Sequence, residues 1–526
     1  MHARMATLLE SETEALVEPS FRVESRRSVE PSISAPLLCF LLACAAFMVW
    51  LSAVKLLTFD EMLSFYTESA PTAAGVLSFQ RLSPVSLDPP LYHLLGHWAL
   101  AAGLAPAFAV RLPSLLGSFL MIACVYVFTR RLAGRDTAAF SVVGLILFNM
   151  FHLVEARPYG LMLGASALAL LLWQNVLRER SRTASLAGLF CVLGVAVSSH
   201  YFGILVMVPF LIAECFRTVR RRKLDVGLLA VLLGSCVFAL GWLPYLKGAH
   251  QYKNNYYIKV NAADFARAYT APVRSILSHH SVAWEWLACM SVVLVVITGA
   301  WLGYKSSNSS ESRPTEWIAV LAFALLPIFG VLLARVASGA FESRYVIGFI
   351  LGIAIALSAG LMALVRSQRW RSVLLAGFCL MTAVVLLRMV KINNAAFAEL
   401  TQNARLLDAQ GVNLITDKSE FLWLHHYMPD APGVQNAVWV ADIPREIAAT
   451  GSDNIDRTML NLQAIGKLPV ISYENLQRDR SFRMIEDQDT VPLDWIEGQL
   501  QRDGARILAT GHSASDTSYQ VQLPPR

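Results

Sequence analysis

Apolar residues in this chain come in blocks separated by short polar stretches. A helix rises about 1.5 Å per residue and the hydrocarbon layer is about 30 Å thick, so a run of roughly 17 to 25 apolar residues crosses it. Runs of about that size lie at 35–57, 108–129, 137–154, 159–177, 184–198, 202–216, 224–246, 284–304, 317–337, 345–365 and 372–390. They predict an all-α polytopic membrane protein of about 11 transmembrane helices, in which the two runs near 184–216 are short.

Past residue 390 the pattern changes. Apolar runs shrink to strand length ("VNLIT", "AVWVAD", "LPVISY", "ARILATG", "SYQVQLP") and alternate with helix-like stretches such as "DRTMLNLQAIG" and "LDWIEGQLQRDG", the latter closing on Gly504 as a C-cap. The expected organisation is a disordered cytoplasmic tail at 1–34, a membrane domain at 35–390, and a small α/β or α+β soluble domain at 391–526.

Charge orients the spans. Short loops rich in Lys and Arg stay on the cytoplasmic side, and with these spans "RR" (26–27), "RRLAGR" (130–135), "RERSR" (178–182), "RTVRRRK" (217–223), "KSSNSSESR" (305–313) and "RSQRWR" (366–371) all fall on one side. This requires "PPLYHLLGHWALAAGL" (89–104) not to span. It is read as an amphipathic helix in the outer interface, so that the first outer loop is long, about 58–107, and the C-terminal domain lies outside, in the periplasm of an inner-membrane protein.

Composition agrees with the class: 55% of the 526 residues are apolar and 16% are charged. All eight cysteines sit inside apolar segments, with no CxxC spacing, which suggests neither a disulfide frame nor a metal. Residues 391–526 show no GxGxxG, P-loop or basic-aromatic stripe, so they offer no support for a nucleotide cofactor or a nucleic-acid partner. His93 and His97 share a helical face, and His425 and His426 are adjacent. Packing explains both pairs better than metal binding does.

The chemistry gathers at the outer face, in "LLTFDEMLSFY" (56–66), "LDPPLYHLL" (87–95), "RLPSLL" (111–116), "EARPYG" (155–160), "SSHYFG" (198–203), the basic and aromatic stretch 250–280, and "FESRYVIG" (341–348). A transporter or flippase of lipid-linked sugars, the alternative reading, needs polar or broken helices at the bilayer midplane. Here the midplane is bland and one water interface carries the acids, arginines, histidines and tyrosines. A non-catalytic assembly subunit is a third reading.

The order of an acidic pair after the first span, then "PPLYHLL", "RLPSLL", "ARPYG", "HYFG" and a late "RYVIG", resembles the bacterial polyprenyl-phosphate-sugar-dependent glycosyltransferases of the C-type membrane fold. That group includes protein mannosyltransferases and the aminoarabinose transferase acting on lipid A. The resemblance implies a many-helix fold with interfacial helices in its first outer loop, and an inverting, usually metal-independent transfer needing no cofactor. A sugar would pass from a polyprenyl-phosphate donor to an envelope acceptor that is protein, lipid or glycan. By the same resemblance Asp60 is the general base, and Glu61 orients it or binds sugar hydroxyls. Arg157 and Arg344 meet the donor phosphate, with Lys253, Lys259, Arg267 and Arg274 as further candidates. Asp88, Tyr159, His200, Tyr201 and Tyr345 complete the substrate-binding set. Each role has a rival: the acid pair would also cap a helix, Asp88 would shape a turn, Arg157 and Arg344 would snorkel beside Glu155 and Glu342, and His200 and Tyr201 would belt the interface.

Overall fold

The computed structural model describes residues 33–252, 260–261, 263–274, 282–306, 312–487, 495–513 and 516–525. The expected tail at 1–34 falls almost wholly outside them. The chain divides into two compact units, Met1–Ala43 and Cys44–Arg526. The first contains the start of the helix Ala35–Val54, and the second holds all remaining elements.

Among the described residues eight helices are long and apolar enough to cross a membrane, or up to 10 if each of two bent pairs is one span. The bent pairs are Val226–Leu240 with Leu243–Ala249 (52°) and Arg313–Ala324 with Leu326–Ala337 (47°). Each second helix carries a proline at its start, Pro244 or Pro327, which cannot donate back to the preceding turn and so breaks the ladder there. With the shorter apolar helix Phe349–Leu364, these elements correspond one to one with the predicted runs. The last helix, Gln368–Ala404, runs 37 residues and overshoots its predicted end at 390, carrying the chain to the C-terminal sheet.

Small residues set the spacing of the central helices. Pro106–Ala133 and Tyr159–Leu177 touch backbone to backbone, since a Cβ on Gly117 would sit 2.3 Å from the Gly160 carbonyl oxygen and one on Gly164 2.3 Å from that of Gly117. Apolar helices in lipid gain little from hiding apolar surface, so such close approach is what holds them together. It also fixes the distance between Arg111 on one helix and Arg157 at the head of the other.

Between the first two spans lie the helices Phe59–Glu68, Ala73–Leu82 and Leu91–Ala101. The last was expected to lie amphipathically in the interface. Within it Tyr92, His93, Gly96 and His97 are buried against the protein, while Trp98 and Ala101 are exposed. Gly96 lets Glu68 lie against the helix; His93 Nδ1 is 3.0 Å from Glu68 Oε1 and His97 Nδ1 is 2.9 Å from the Glu68 carbonyl.

The C-terminal region is a six-stranded mixed sheet, β1 Asn413–Ile415, β2 Ala437–Val440, β3 Val470–Ile471, β4 Ser481–Asp487, β5 Arg506–His512 and β6 Asp516–Gln522, in the order β3-β2-β1-β4-β6-β5. The β1–β2, β1–β4 and β2–β3 pairs are parallel, with Leu414 opposite Val438 and Met484, while β6 pairs antiparallel with β4 and β5. Strand alternation sends Leu414, Val440, Phe482 and Met484 to one core and Ile415, Trp439 and Ile485 to another. That second core is continuous with Leu57, Met62, Leu63, Val85 and Val110 from the membrane part. Leu57 is held at both ends of its peptide, its N–H donating to the Tyr427 hydroxyl at 2.8 Å and its carbonyl accepting from the Trp423 indole. The C-terminal sheet region is therefore packed onto the segment between the first two spans.

Candidate active site

Asp60 and Glu61 are neighbours on Phe59–Glu68, but about 100° of helix rotation separates their side chains, and they meet different surroundings. Glu61 is fully buried. Its Oε1 accepts from Arg111 Nε at 2.7 Å and from the Ala156 N–H at 2.8 Å; its Oε2 accepts from Lys55 Nζ at 2.8 Å, Arg111 Nη2 at 2.8 Å and the Thr58 N–H at 2.9 Å. Burial alone would raise this carboxyl, yet Arg111 and Lys55 hold it well below the usual carboxylate range. Arg111 also donates to the carbonyls of Ser52, Lys55 and Leu56, satisfying orphan acceptors where the first helix ends. Glu61 is thus placed to fix the backbone that carries Asp60. It does not reach the cavity, and contact with sugar hydroxyls does not follow from this position.

Asp60 faces a cavity of about 1130 Å³. Its Oδ2 accepts from Arg344 Nη1 at 2.9 Å, with the two side chains 30% and 25% exposed, and its Oδ1 has no hydrogen-bond partner among the described residues. A second ion cluster lies on the same cavity. Arg157 Nη2 is 3.2 Å from Asp88 Oδ2, Arg157 Nη1 donates to Ser86 Oγ at 2.6 Å, and Ser86 Oγ donates to Asp88 Oδ2 at 2.9 Å. Burial pushes the Asp88 carboxyl up, but Arg157, then His200 and His93, pull it below its ordinary value.

His200 completes the cluster. Its Nδ1 accepts the Phe202 N–H at 3.2 Å, which leaves Nε2 to carry the proton toward Asp88 Oδ1, 3.4 Å away. Burial, opposed by Asp88, lowers its pKa to about 4, so the ring is neutral at pH 7. The Tyr345 ring packs 5.1 Å from His200, and Tyr201 lies on the cavity wall with both. Tyr159 sits behind the wall, fully buried, its ring 5.9 Å from the Arg344 guanidinium and 5.8 Å from His200.

The structure therefore brings Asp60, Asp88, Arg157, His200, Tyr201, Arg344 and Tyr345 onto one cavity, with Glu61 and Tyr159 behind it. Arg157 and Arg344 pair with Asp88 and Asp60, while Glu155 pairs with His152 at 2.8 Å. Arg267 is tied to Asp264 at 3.1 Å, and Lys253, Lys259 and the side chain of Arg274 lie outside the described residues. No group of three or more metal-ligating side chains occurs among the described residues. His425 Nε2 is 3.0 Å from the Ala437 carbonyl, and His426 packs edge-on against Phe65.

Sequence reasoning missed Arg111, whose signal was an unpaired cation inside an apolar run, and Ser86. It also missed a wall built by the C-terminal domain from Lys418, Glu446, Thr450, Ser452, Asn454 and Thr458. The apolar part of the cavity comes from Phe202, Ile204, Trp242, Leu246 and Leu333.

Residues 88–244 match the family model described as dolichyl-phosphate-mannose-protein mannosyltransferase, a segment that contains Asp88, Arg157, Tyr159, His200 and Tyr201. The resemblance carried by the motif order holds, and the chain is a membrane glycosyltransferase. Among solved structures it is similar to apo ArnT from Cupriavidus metallidurans (12% identity, TM-score 0.44, covering 92% of this chain and 97% of that one). It is also similar to the apo oligosaccharyltransferase of Archaeoglobus fulgidus (12%, 0.44, 86% and 69%) and to the arabinosyltransferase EmbB of Mycobacterium smegmatis (14%, 0.35, 71% and 42%). No curated protein matches.

Proposed function

We propose that the chain transfers a sugar from a polyprenyl-phosphate-sugar donor to an envelope acceptor at the outer face of the inner membrane, with inversion and with Asp60 as general base. The observation that carries this is the Asp60–Arg344 pair on a cavity whose remaining wall is largely apolar. An acceptor hydroxyl is far too weakly acidic to ionise alone at neutral pH, so a carboxylate must take its proton as it attacks. Asp60 has an unpartnered Oδ1 for that proton. As the acceptor oxygen bonds to the anomeric carbon, the bond from that carbon to the phosphate oxygen breaks and the phosphate keeps the electron pair. A single displacement of this kind inverts the anomeric centre.

Charge grows on the departing phosphate, and Arg344 and Arg157 are planar donors suited to it. In this structure each holds an aspartate. A donor phosphate that draws Arg344 away from Asp60 frees that carboxylate oxygen from its hydrogen bond at the moment a base is needed. The polyprenyl chain lies along Phe202, Trp242 and Leu333. The C-terminal domain then stands on the outer side, with the basic loops on the other.

Asp60→Asn tests the reading. The amide keeps size and a hydrogen bond to Arg344 but accepts no proton, so turnover with purified donor should fall roughly 10²- to 10⁴-fold. The half-exposed ion pair contributes at most about 1 kcal/mol, so melting and donor binding should stay near wild type. Near-normal turnover by Asp60→Asn would remove Asp60 as the base.

A further inference from the structure

The cations on the cavity wall are not equally paired. Asp60 and Asp88 are matched by Arg344 and Arg157, and His200 is neutral. Glu446 is buried among the N–H groups of Ile455 and Asp456, at 3.2 and 3.1 Å, and burial together with Asp456 pushes it up to about 8, so it is uncharged at pH 7. That leaves Lys418. It has no carboxylate in salt-bridge range among the described residues, and its Nζ stands 5.2 Å from the ring of Phe59, the residue next to Asp60. Two of the three cations on the wall are thus each held by an aspartate, and Lys418 is not.

An uncompensated cation at a half-buried site is costly unless an anion arrives, and a phosphodiester carries one negative charge. We infer that Lys418, from the C-terminal domain, is a contact for the donor's phosphate, so that the sheet domain completes the lipid-phosphate site instead of standing apart from it. The inference rests on the proposed polyprenyl-phosphate donor. Lys418 opens the helix Lys418–Tyr427, which is anchored onto Leu57 by Trp423 and Tyr427. The domain that carries the lysine is therefore fixed relative to Asp60. A point charge suits a leaving phosphate whose negative charge grows, because it follows the group without demanding a fixed fork.

The test is binding of undecaprenyl phosphate, with undecaprenol as the uncharged probe, to the full-length protein in nanodiscs. Lys418→Ala should weaken undecaprenyl phosphate roughly tenfold or more, the usual range for a lost hydrogen bond to a charged group. Undecaprenol binding should not change, and Lys418→Arg should recover most of the affinity. Full affinity in Lys418→Ala, or equal weakening of both probes, would overturn the assignment while leaving the donor reading intact. A wild-type protein that does not prefer undecaprenyl phosphate to undecaprenol would overturn the donor reading, and the role of Lys418 with it.

Discussion

Replacing Glu61 by Gln separates scaffold from chemistry within one acid pair. The carboxylate receives two bonds from Arg111, one from Lys55 and two from backbone N–H groups, at 2.7 to 2.9 Å, and it is fully buried. Gln keeps one acceptor oxygen, turns an N–H₂ toward donors that already point inward, and leaves two cations without a counter-charge. Breaking a buried pair by removing one partner typically costs about 3–5 kcal/mol, and the lost bond to the Thr58 N–H adds about 1 kcal/mol of helix capping. The end of the first helix loosens with it, because the Arg111 side chain that satisfies three carbonyls there loses its anchor. Glu61→Gln should therefore show a large drop in detergent melting temperature and in yield. The pH dependence has a definite sign. A carboxyl held below its ordinary 4.5 stabilises the fold fully above that value, and the contribution is lost only as pH falls below it. The gap between wild type and Glu61→Gln should stay constant from about pH 6 to 9 and narrow only in acid. A Glu61→Gln protein that melts like wild type yet has lost turnover would refute the reasoning and make Glu61 a participant in the reaction.

The fold and its orientation give two further tests. Gly117→Ala would drive a Cβ to 2.3 Å from the Gly160 carbonyl oxygen and should cost roughly 1–3 kcal/mol, whereas Gly144→Ala, with nothing within 4 Å, should be silent in the same melting assay. In a cysteine-free background, single cysteines at exposed Ser69 and Asp430 should react with an impermeant thiol reagent from outside, and ones at exposed Arg222 and Ser367 should not. Labelling of Arg222→Cys from outside would invert the orientation read from the basic loops.

The spans were legible because length and apolarity nearly suffice to define them, and the basic loops supplied a consistent side. The strand β4, "SFRMIED", went unread because charged residues interrupt it at Arg483, Glu486 and Asp487, and its apolar positions serve two cores. The short Leu91–Ala101 helix was kept out of the span count because it is too short to cross and because a span there would scatter the basic loops over both sides. Its burial depends on Gly96 accepting Glu68, a contact between residues 28 apart that no local pattern displays.

The candidate site shows the same limit at higher resolution. Motif order pointed to seven of the residues that line the cavity, since the motifs sit at span ends or in the segment between the first two spans, and these converge there. What each residue does there depends on partners far away in the chain. Glu61 and Arg111 are 50 residues apart, Asp60 and Arg344 are 284 apart, and only the first pair is sealed from water. An arginine near the start of an apolar helix does signal that a carboxylate must meet it, but two adjacent acids are equally eligible until helix rotation assigns one to the interior and the other to the cavity. Lys418 and Glu446 carry no such signal, being ordinary residues of helix first turns in the C-terminal sheet region. Their place on the cavity follows from the packing of Phe421, Leu422 and Trp439 against Leu57 and Met62. The C-terminal sheet region's contribution to the cavity wall is thus a consequence of a shared core, the same core that seats the helix carrying Asp60.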